Sequence, residues 1–96
     1  MMEKTKTTAE IVPVPVDFTG ALPSGETVGA SSTVTATNSL GADVTGTLLS
    51  GKTNTTTTLT ITVLASLVGI FTITFTVNTS PSGFKIIEYM QLTVLT

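Results

Sequence analysis

Strict alternation of threonine with apolar residues, in two runs of one uncharged segment, constrains the fold more than any other feature of this sequence. Residues 59–63 alternate leucine, isoleucine and valine with threonine, and residues 71–77 repeat the pattern with phenylalanine, isoleucine and valine. A two-residue period is typical of a strand with one buried face, and β-branched and aromatic residues favour strands. Gly69 stands between the runs. We therefore predict strands at about 57–64 and 70–78, joined near this glycine.

The same segment has a second interpretation, as a membrane-spanning helix. No charged residue occurs between Lys52 and Lys85, and residues 59–77 form an uncharged stretch about as long as a transmembrane helix requires. A helix would place the threonines all round its surface, whereas a strand places them on one face. The alternation therefore favours two strands outside a membrane.

Four further segments carry strand patterns. Residues 10–18 place Val12, Val14, Val16 and Phe18 on one face, with Pro13 and Pro15 on the other. Proline lacks the N–H that a central strand must donate, so this segment is predicted to be an edge strand. The other three segments are 27–37, 44–49 and 85–95. Residues 86–89 break strict alternation, which predicts a bulge or a twist in the last strand.

Six or seven short strands, separated by turn signals about every ten residues, indicate a β-sandwich. We predict an all-β protein, an immunoglobulin-like antiparallel β-sandwich of about seven strands. The 96 residues suffice for one core and are too few for two. We expect residues 1–9, which are polar and rich in threonine and lysine, to be a flexible N-terminal arm, and residues 10–96 to form the domain.

The composition offers little for catalysis. The chain has no histidine, cysteine or tryptophan, and its charged residues are four lysines and six acidic residues. General acid–base catalysis needs positioned titratable groups, and zinc and most transition-metal sites need cysteine or histidine. We predict a protein that is not an enzyme and that takes no cofactor or metal. Without arginine and with an isoelectric point near 4.7, nucleic-acid binding is not expected.

The N-terminus begins with a lysine-containing polar stretch that has no apolar segment behind it. A secretory signal peptide requires such a segment. We therefore expect the chain to stay in the cytoplasm in which it is made.

Two groups of oxygen-bearing side chains are candidate sites. Asp17 and Glu26 could form a catalytic carboxylate pair, but a turn-stabilising aspartate and a solvated glutamate fit their places beside a turn better. Asn38 and Asp43 could supply oxygens to Ca²⁺, which usually needs six to eight of them. An ordinary Asn/Asp loop is the preferred interpretation.

The threonine faces and the N-terminal region are candidate protein-binding surfaces. A strand face of hydroxyls is either a solvated surface with good strand propensity or a weakly charged interface, since interface centres are depleted in charge. An arm that folds on docking could also add a strand to a partner. The residues predicted to contact a partner are Lys4, Lys6, Pro13, Pro15, Thr72, Thr74 and Thr76.

Three stretches carry a resemblance to a known family. Residues 14–28 have the sequence VPVDFTGALPSGETV, residues 69–77 follow a Gly-x-aromatic pattern, and Ser82-Gly83 precedes the closing run at 90–94. Together they resemble small immunoglobulin-like structural proteins of tailed bacteriophages, over about residues 10–95. One departure is that Phe71 stands where such strands carry tyrosine. Because Tyr89 lies on the last strand, no tyrosine corner is expected.

The resemblance implies a virion component, assembled in the host cytoplasm, whose partners are other capsid, neck, tail or fibre proteins. It would act as a fibre-to-tail or neck adaptor or as a capsid decoration protein, and it could self-associate in the assembled particle. The alternative is a carbohydrate- or cell-surface-binding β-sandwich. That alternative ranks lower because aromatic faces dominate such binding and the chain has one tyrosine and no tryptophan.

Overall fold

The computed structural model describes residues 2–66 and 68–96. In chain order its elements are β1 (Met2–Thr7), β2 (Val12–Asp17), β3 (Thr27–Val28), β4 (Thr33–Asn38), α1 (Thr45–Leu48), β5 (Leu49–Asn54), β6 (Thr58–Val63), β7 (Gly69–Ser80) and β8 (Lys85–Leu95). The all-β prediction is confirmed. Within the described part of the chain, the only α-helix is the single turn of α1.

The strands form two sheets that enclose one hydrophobic core. The larger sheet has the order β1–β8–β7–β3, and β4 also pairs with β7 along the same edge as β3. The smaller sheet has the order β2–β6–β5. All pairings are antiparallel except that of β1 with β8, which is parallel. The predicted sandwich is therefore not wholly antiparallel.

The alternating runs place their apolar residues inward, as the sequence predicts. In β6 and β7 every threonine of the pattern is half-buried, whereas the residues between them are almost all fully buried. Val14, Val16 and Phe18 are buried on the inner face of the smaller sheet, while Pro13 and Pro15 are exposed. The core combines both sheets and includes Leu48, Leu59, Val63, Ile73, Phe75, Val77, Leu92 and Val94.

The proline-marked strand is an edge strand, which confirms the prediction. β2 pairs only with β6, and the Phe18 N–H just beyond it donates to the Thr57 carbonyl at 2.7 Å. The N–H and C=O groups of successive residues point to opposite sides of an antiparallel strand. The nitrogens of Pro13 and Pro15 therefore point away from β6. The prolines thus occupy positions where an edge strand would otherwise expose free donors.

The N-terminal segment differs from the flexible arm expected for residues 1–9. Residues 2–7 form β1, in register with β8 from Met2 opposite Met90 to Thr7 opposite Leu95. The pairing partner is almost ninety positions away in the sequence, so the polar pattern of the segment alone could not show it.

The segment predicted as one strand at 27–37 is interrupted. Gly29 N–H donates to the Asn78 carbonyl and Ser32 N–H donates to the Gly29 carbonyl, so the chain turns between β3 and β4. Ala30, which strict alternation would place inside, is exposed as a result. Ser32 is fully buried at this turn.

The strand predicted at 44–49 is wrong, because these residues form α1 and only the first residue of β5. Val44 N–H donates to the Ala36 carbonyl at 2.9 Å, and the Thr45 hydroxyl accepts the Ala36 N–H at 2.9 Å. The segment therefore supplies hydrogen-bond partners to the outer edge of β4 and does not pair with it as a strand. The turn of α1 then directs Leu48 into the core.

Of the bulge or twist predicted at 86–89, the bulge is wrong. The pairing of β7 with β8 keeps one register from Gly69 opposite Val94 to Asn78 opposite Lys85. Ile87 and Tyr89 therefore point outward from a regular strand, and the break in alternation is a pair of exposed apolar side chains. The register shift occurs in β5, between Ser50 and Thr53.

In the segment that could have been a membrane-spanning helix, residues 59–63 lie in β6 and residues 69–77 lie in β7. Among the residues that the structure describes, no helix has the length and apolar character needed to cross a bilayer.

Candidate protein-binding surface

The outer face of the larger sheet carries the predicted threonine ladder. Thr72, Thr74 and Thr76 lie on alternate positions of β7, all half-buried and all facing away from the core. On one side they stand opposite threonines of β4, with Thr35 opposite Thr74. On the other side they stand opposite β8, with Tyr89 opposite Thr74. We call this surface the threonine face: Thr33, Thr35, Thr37, Thr72, Thr74, Thr76, Ile87, Tyr89 and Gln91.

The threonine face is uncharged and has apolar side chains along one flank. Ile87 and Tyr89 are 49% and 48% exposed, and they project from β8 next to the threonines of β7. On the outer faces of β4, β7 and β8 the only charged residue is Lys85, at the end of β8. Sequence reasoning found the threonines but assigned no role to Ile87 and Tyr89, because it placed a bulge there.

The two lysines predicted to contact a partner point toward the inner face of the sheet. Lys6 is 3% exposed, and its ammonium donates to the carbonyls of Thr7 at 2.8 Å and Glu10 at 3.1 Å. Its ammonium closes the turn between β1 and β2, so the structure does not expose Lys6 as a contact residue. Lys4 is half-buried beside a groove between β1 and β2.

Pro13 and Pro15 lie on the smaller sheet, opposite Thr62 and Thr60 of β6. They are exposed, but they belong to the opposite side of the molecule from the threonine face. The structure therefore does not combine the seven predicted contact residues into one surface.

Asp17 and Glu26 serve separate loops and are not held together by any shared contact. The Asp17 carboxylate accepts from the Thr19 hydroxyl and N–H, and these bonds lower its pKa below the ordinary value. This confirms a turn-stabilising aspartate.

Glu26 is bonded more extensively than a solvated glutamate. Its carboxylate accepts from the Thr79 hydroxyl at 2.8 Å and from the Ser82 N–H and hydroxyl at 3.0 and 3.1 Å. Desolvation raises the pKa of Glu26, but the hydrogen bonds from Thr79 and Ser82 outweigh it and hold the pKa below 4.5. Glu26 therefore joins the loop before β3 to the β7–β8 hairpin.

The oxygens of the loop at 38–43 are engaged in the fold. The Asn38 side-chain oxygen accepts the N–H groups of Leu40 and Ala42. The Asp43 carboxylate accepts the hydroxyl and N–H of Thr45, which lowers the pKa of Asp43. In the described residues no cluster of three or more acidic, histidine or cysteine side chains could hold a metal ion.

An apolar cleft that sequence reasoning missed lies at one end of the sandwich. Its volume is about 520 Å³, and its wall includes Leu40, Val44, Val68, Ile70 and Phe71. Leu40 is 90% exposed at the tip of an otherwise polar loop. A lone leucine in that loop is the signal that could have pointed to this surface.

No protein-family model matches the chain, and no curated protein matches it.

Proposed function

We propose that the protein is a non-enzymatic structural module of a tailed-phage virion, which attaches to other virion proteins through its threonine face. The observation that carries the proposal is an uncharged sheet face flanked by exposed Ile87 and Tyr89. Interface centres are depleted in charge and enriched in aromatic residues. Its position in the particle would be that of a fibre-to-tail or neck adaptor or of a capsid decoration protein.

The strand order supports an immunoglobulin-like identity for the sandwich. In immunoglobulin constant-type domains one sheet contains strands B, E and D and the other contains C, F and G. The orders β2–β6–β5 and β4–β7–β8 follow the same sequence of strands. On this assignment β1 takes the place of the first strand and pairs in parallel with the last. This agrees with the resemblance to phage proteins carried by residues 14–28 and 69–77.

The chemistry of the threonine face suits a module present in many copies. Hydroxyl groups and a few apolar side chains cost little to desolvate compared with charges, but they supply few strong contacts. Each attachment would therefore be weak, and repeated attachment points on the particle would supply avidity. Assembly in the host cytoplasm fits a chain that has no cysteine to form disulfides.

Two measurements test the proposal. Cryo-electron microscopy of the native particle should reveal density for this sandwich on the shell or at the neck or tail. Purified protein should rebind particles that lack it, and Thr74→Glu at the centre of the threonine face should abolish rebinding. Thr60→Glu is the matched control, because Thr60 is a half-buried threonine on the outer face of the smaller sheet. Absence of the sandwich from the particle would overturn the virion role.

A glycan array distinguishes the carbohydrate-binding alternative from the structural module. Reproducible binding of a sugar by the wild-type chain, lost in Tyr89→Ala, would favour a carbohydrate-binding sandwich over the structural module. An array without binding, together with rebinding to particles, would support the structural module.

A further inference from the structure

The free edge of β1 presents backbone groups that no other strand uses. Thr8 N–H donates to the Leu95 carbonyl, so the even-numbered residues of β1 direct their backbone groups toward β8. In a parallel ladder the intervening residues direct theirs outward. Thr7 is already engaged, because its N–H donates to the Glu10 carboxylate and its carbonyl accepts from the Lys6 ammonium. In the described part of the chain, the outward N–H and C=O groups of Glu3 and Thr5 have no partner.

The remaining edges of the sandwich are partly obstructed. Pro13 and Pro15 remove two of the three outward N–H donors of β2 and leave that of Asp17. On the opposite side Lys52 donates to the carbonyls of Ala30 and Ser32, so it bridges β5 to the chain before β4. Along that same side further bonds occupy part of the edge, namely Ala36 N–H to Thr45, Asn38 N–H to Ala42, and the Asn54 side-chain amide to the Val28 carbonyl. The edge of β1 is distinguished by two successive outward residues, Glu3 and Thr5, whose backbone groups are available to an added strand.

A groove of about 400 Å³ runs beside this edge, between β1 and β2. Its lining is mixed: the apolar residues are Val14, Val16, Met90 and Met2, and the charged residues Glu3 and Lys4 lie on the β1 side. A strand added to β1 would direct alternate side chains toward this groove, because side chains alternate between the faces of a sheet. The positions that enter the groove are those opposite Met2 and Lys4.

The charge of Lys4 selects the occupant. Lys4 lines the groove and has no hydrogen-bond partner among the described residues, unlike Lys6. A second copy pairing its own β1 in antiparallel fashion, with Glu3 opposite Thr5, would place the two Lys4 side chains opposite each other. Like charges at directly opposite positions destabilise a sheet. A carboxylate at that position would instead find a partner.

We propose that β1 is a docking edge for an extended segment of a partner protein, which adds to the larger sheet as a further strand. The segment carries an apolar side chain opposite Met2 and an acidic side chain two residues along, opposite Lys4. Main-chain bonds to Glu3 and Thr5 give affinity, and the groove and Lys4 give specificity, as in other cases of strand addition. This docking edge is separate from the threonine face, so its test is independent of the virion role.

The test uses two synthetic seven-residue peptides with blocked ends. Threonine occupies every odd position, valine occupies the second and sixth positions, and the fourth, central position differs between the peptides. The central residue is glutamate in one peptide and lysine in the other. Amide hydrogen exchange, followed by NMR during titration, should show that the glutamate peptide protects the N–H groups of Glu3 and Thr5. The lysine peptide should bind at least about fivefold more weakly, as expected for the loss of one charge-assisted contact.

Three variants make the result specific. Thr5→Pro removes one outward donor without removing a bond to β8, and it should weaken the glutamate peptide about fivefold. Lys4→Glu should reverse the preference toward the lysine peptide. Lys85→Glu, with the same change of net charge on an exposed residue at the far end of β8, should leave the preference unchanged. Equal affinity for both peptides, or no protection of Glu3 and Thr5 at millimolar peptide, would overturn the proposal.

Discussion

The Ser32 hydroxyl accepts the backbone N–H of Asn78 at 3.0 Å and donates to the Gly29 carbonyl at 2.7 Å, from a side chain with no exposed surface. One hydroxyl thus joins the turn between β3 and β4 to the C-terminal part of β7, across forty-six positions of sequence. The Asn78 N–H is bonded to this oxygen, whereas the Gly29 carbonyl also accepts the Ser32 N–H at 3.1 Å. Ser32 therefore fixes where the chain leaves β3 and begins β4.

Ser32→Ala is expected to destabilise the protein. Removing the hydroxyl takes away the acceptor of the Asn78 N–H, and an unsatisfied buried group costs about 1–3 kcal/mol. The Gly29 carbonyl keeps its bond from the Ser32 N–H. Urea denaturation followed by circular dichroism would measure the change in the free energy of unfolding. Ser31→Ala is the matched control, because Ser31 is exposed and contributes only its carbonyl to the fold. Equal stabilities of the two variants would contradict this role of Ser32.

Gly29→Ala is expected to be destabilising for a steric reason. A Cβ atom at Gly29 would lie 2.5 Å from the Asn78 carbonyl oxygen, so β7 or the turn must move. Overpacking of this kind costs about 1–3 kcal/mol. Gly46 in α1 has no atom within 4 Å of the equivalent position, and Gly46→Ala should be neutral or stabilising by up to about 1 kcal/mol. Thermal unfolding of the two variants in parallel should give changes in melting temperature, relative to the wild type, of opposite sign or clearly different size.

The local alternation of the sequence was enough to predict β2, β6, β7 and the inner face of β8. Each has a buried face that repeats every second residue, and that pattern depends only on which side of the strand faces the core. The threonine face could be predicted for the same reason, since Thr72, Thr74 and Thr76 share one parity.

Features set by distant contacts could not be predicted in this way. β1 is polar and forms a strand because β8 offers it an edge. The segment at 44–49 has strand-like composition, but Val44 and Thr45 bond to Ala36 and lead into a helical turn. The docking edge depends on the register of β1, so no pattern in residues 1–9 could indicate it.

Phe75 and Phe84 provide a comparison of one residue type in two environments. Phe75 is fully buried between the sheets, whereas Phe84 is 54% exposed next to the β7–β8 turn. Phe75→Ala should cost about 3–5 kcal/mol, the range found for buried aromatic residues. Phe84→Ala should cost much less, because much of its surface is already in water. Chemical denaturation measures both, and a Phe84→Ala loss as large as that of Phe75→Ala would contradict the described packing.

Acid should destabilise the protein in part through Glu26. Hydrogen bonds from Thr79 and Ser82 hold the pKa of the folded carboxyl below its ordinary value of 4.5. The folded chain therefore binds fewer protons than the unfolded chain in this range. The contribution is complete above pH 4.5 and is lost as the pH falls through the lower folded pKa.

Glu26→Gln removes this titration and should reduce the loss of stability on acidification. Unfolding midpoints in urea between pH 7 and about pH 3 would measure the loss for each variant. Glu3→Gln serves as the control, because it also removes one carboxylate, and that carboxylate has no hydrogen-bond partner among the described residues. Identical profiles for Glu26→Gln and the wild type would count against the Glu26 contact.

Replacement of both Pro13 and Pro15 by valine should open the edge of β2 to self-association. The two nitrogens point away from β6, so valine would introduce two outward N–H donors without adding a bond inside the sheet. Valine favours strands, so the fold itself should be retained while an unprotected edge appears. Sedimentation velocity over a range of concentrations should show oligomers that the wild-type chain does not form. Pro23→Ala, which changes an exposed turn proline outside any strand, should behave like the wild type. If the double variant sediments as the wild type does at every concentration, the prolines do not protect this edge and the charged residues of β1 are the remaining barrier to edge pairing on that side.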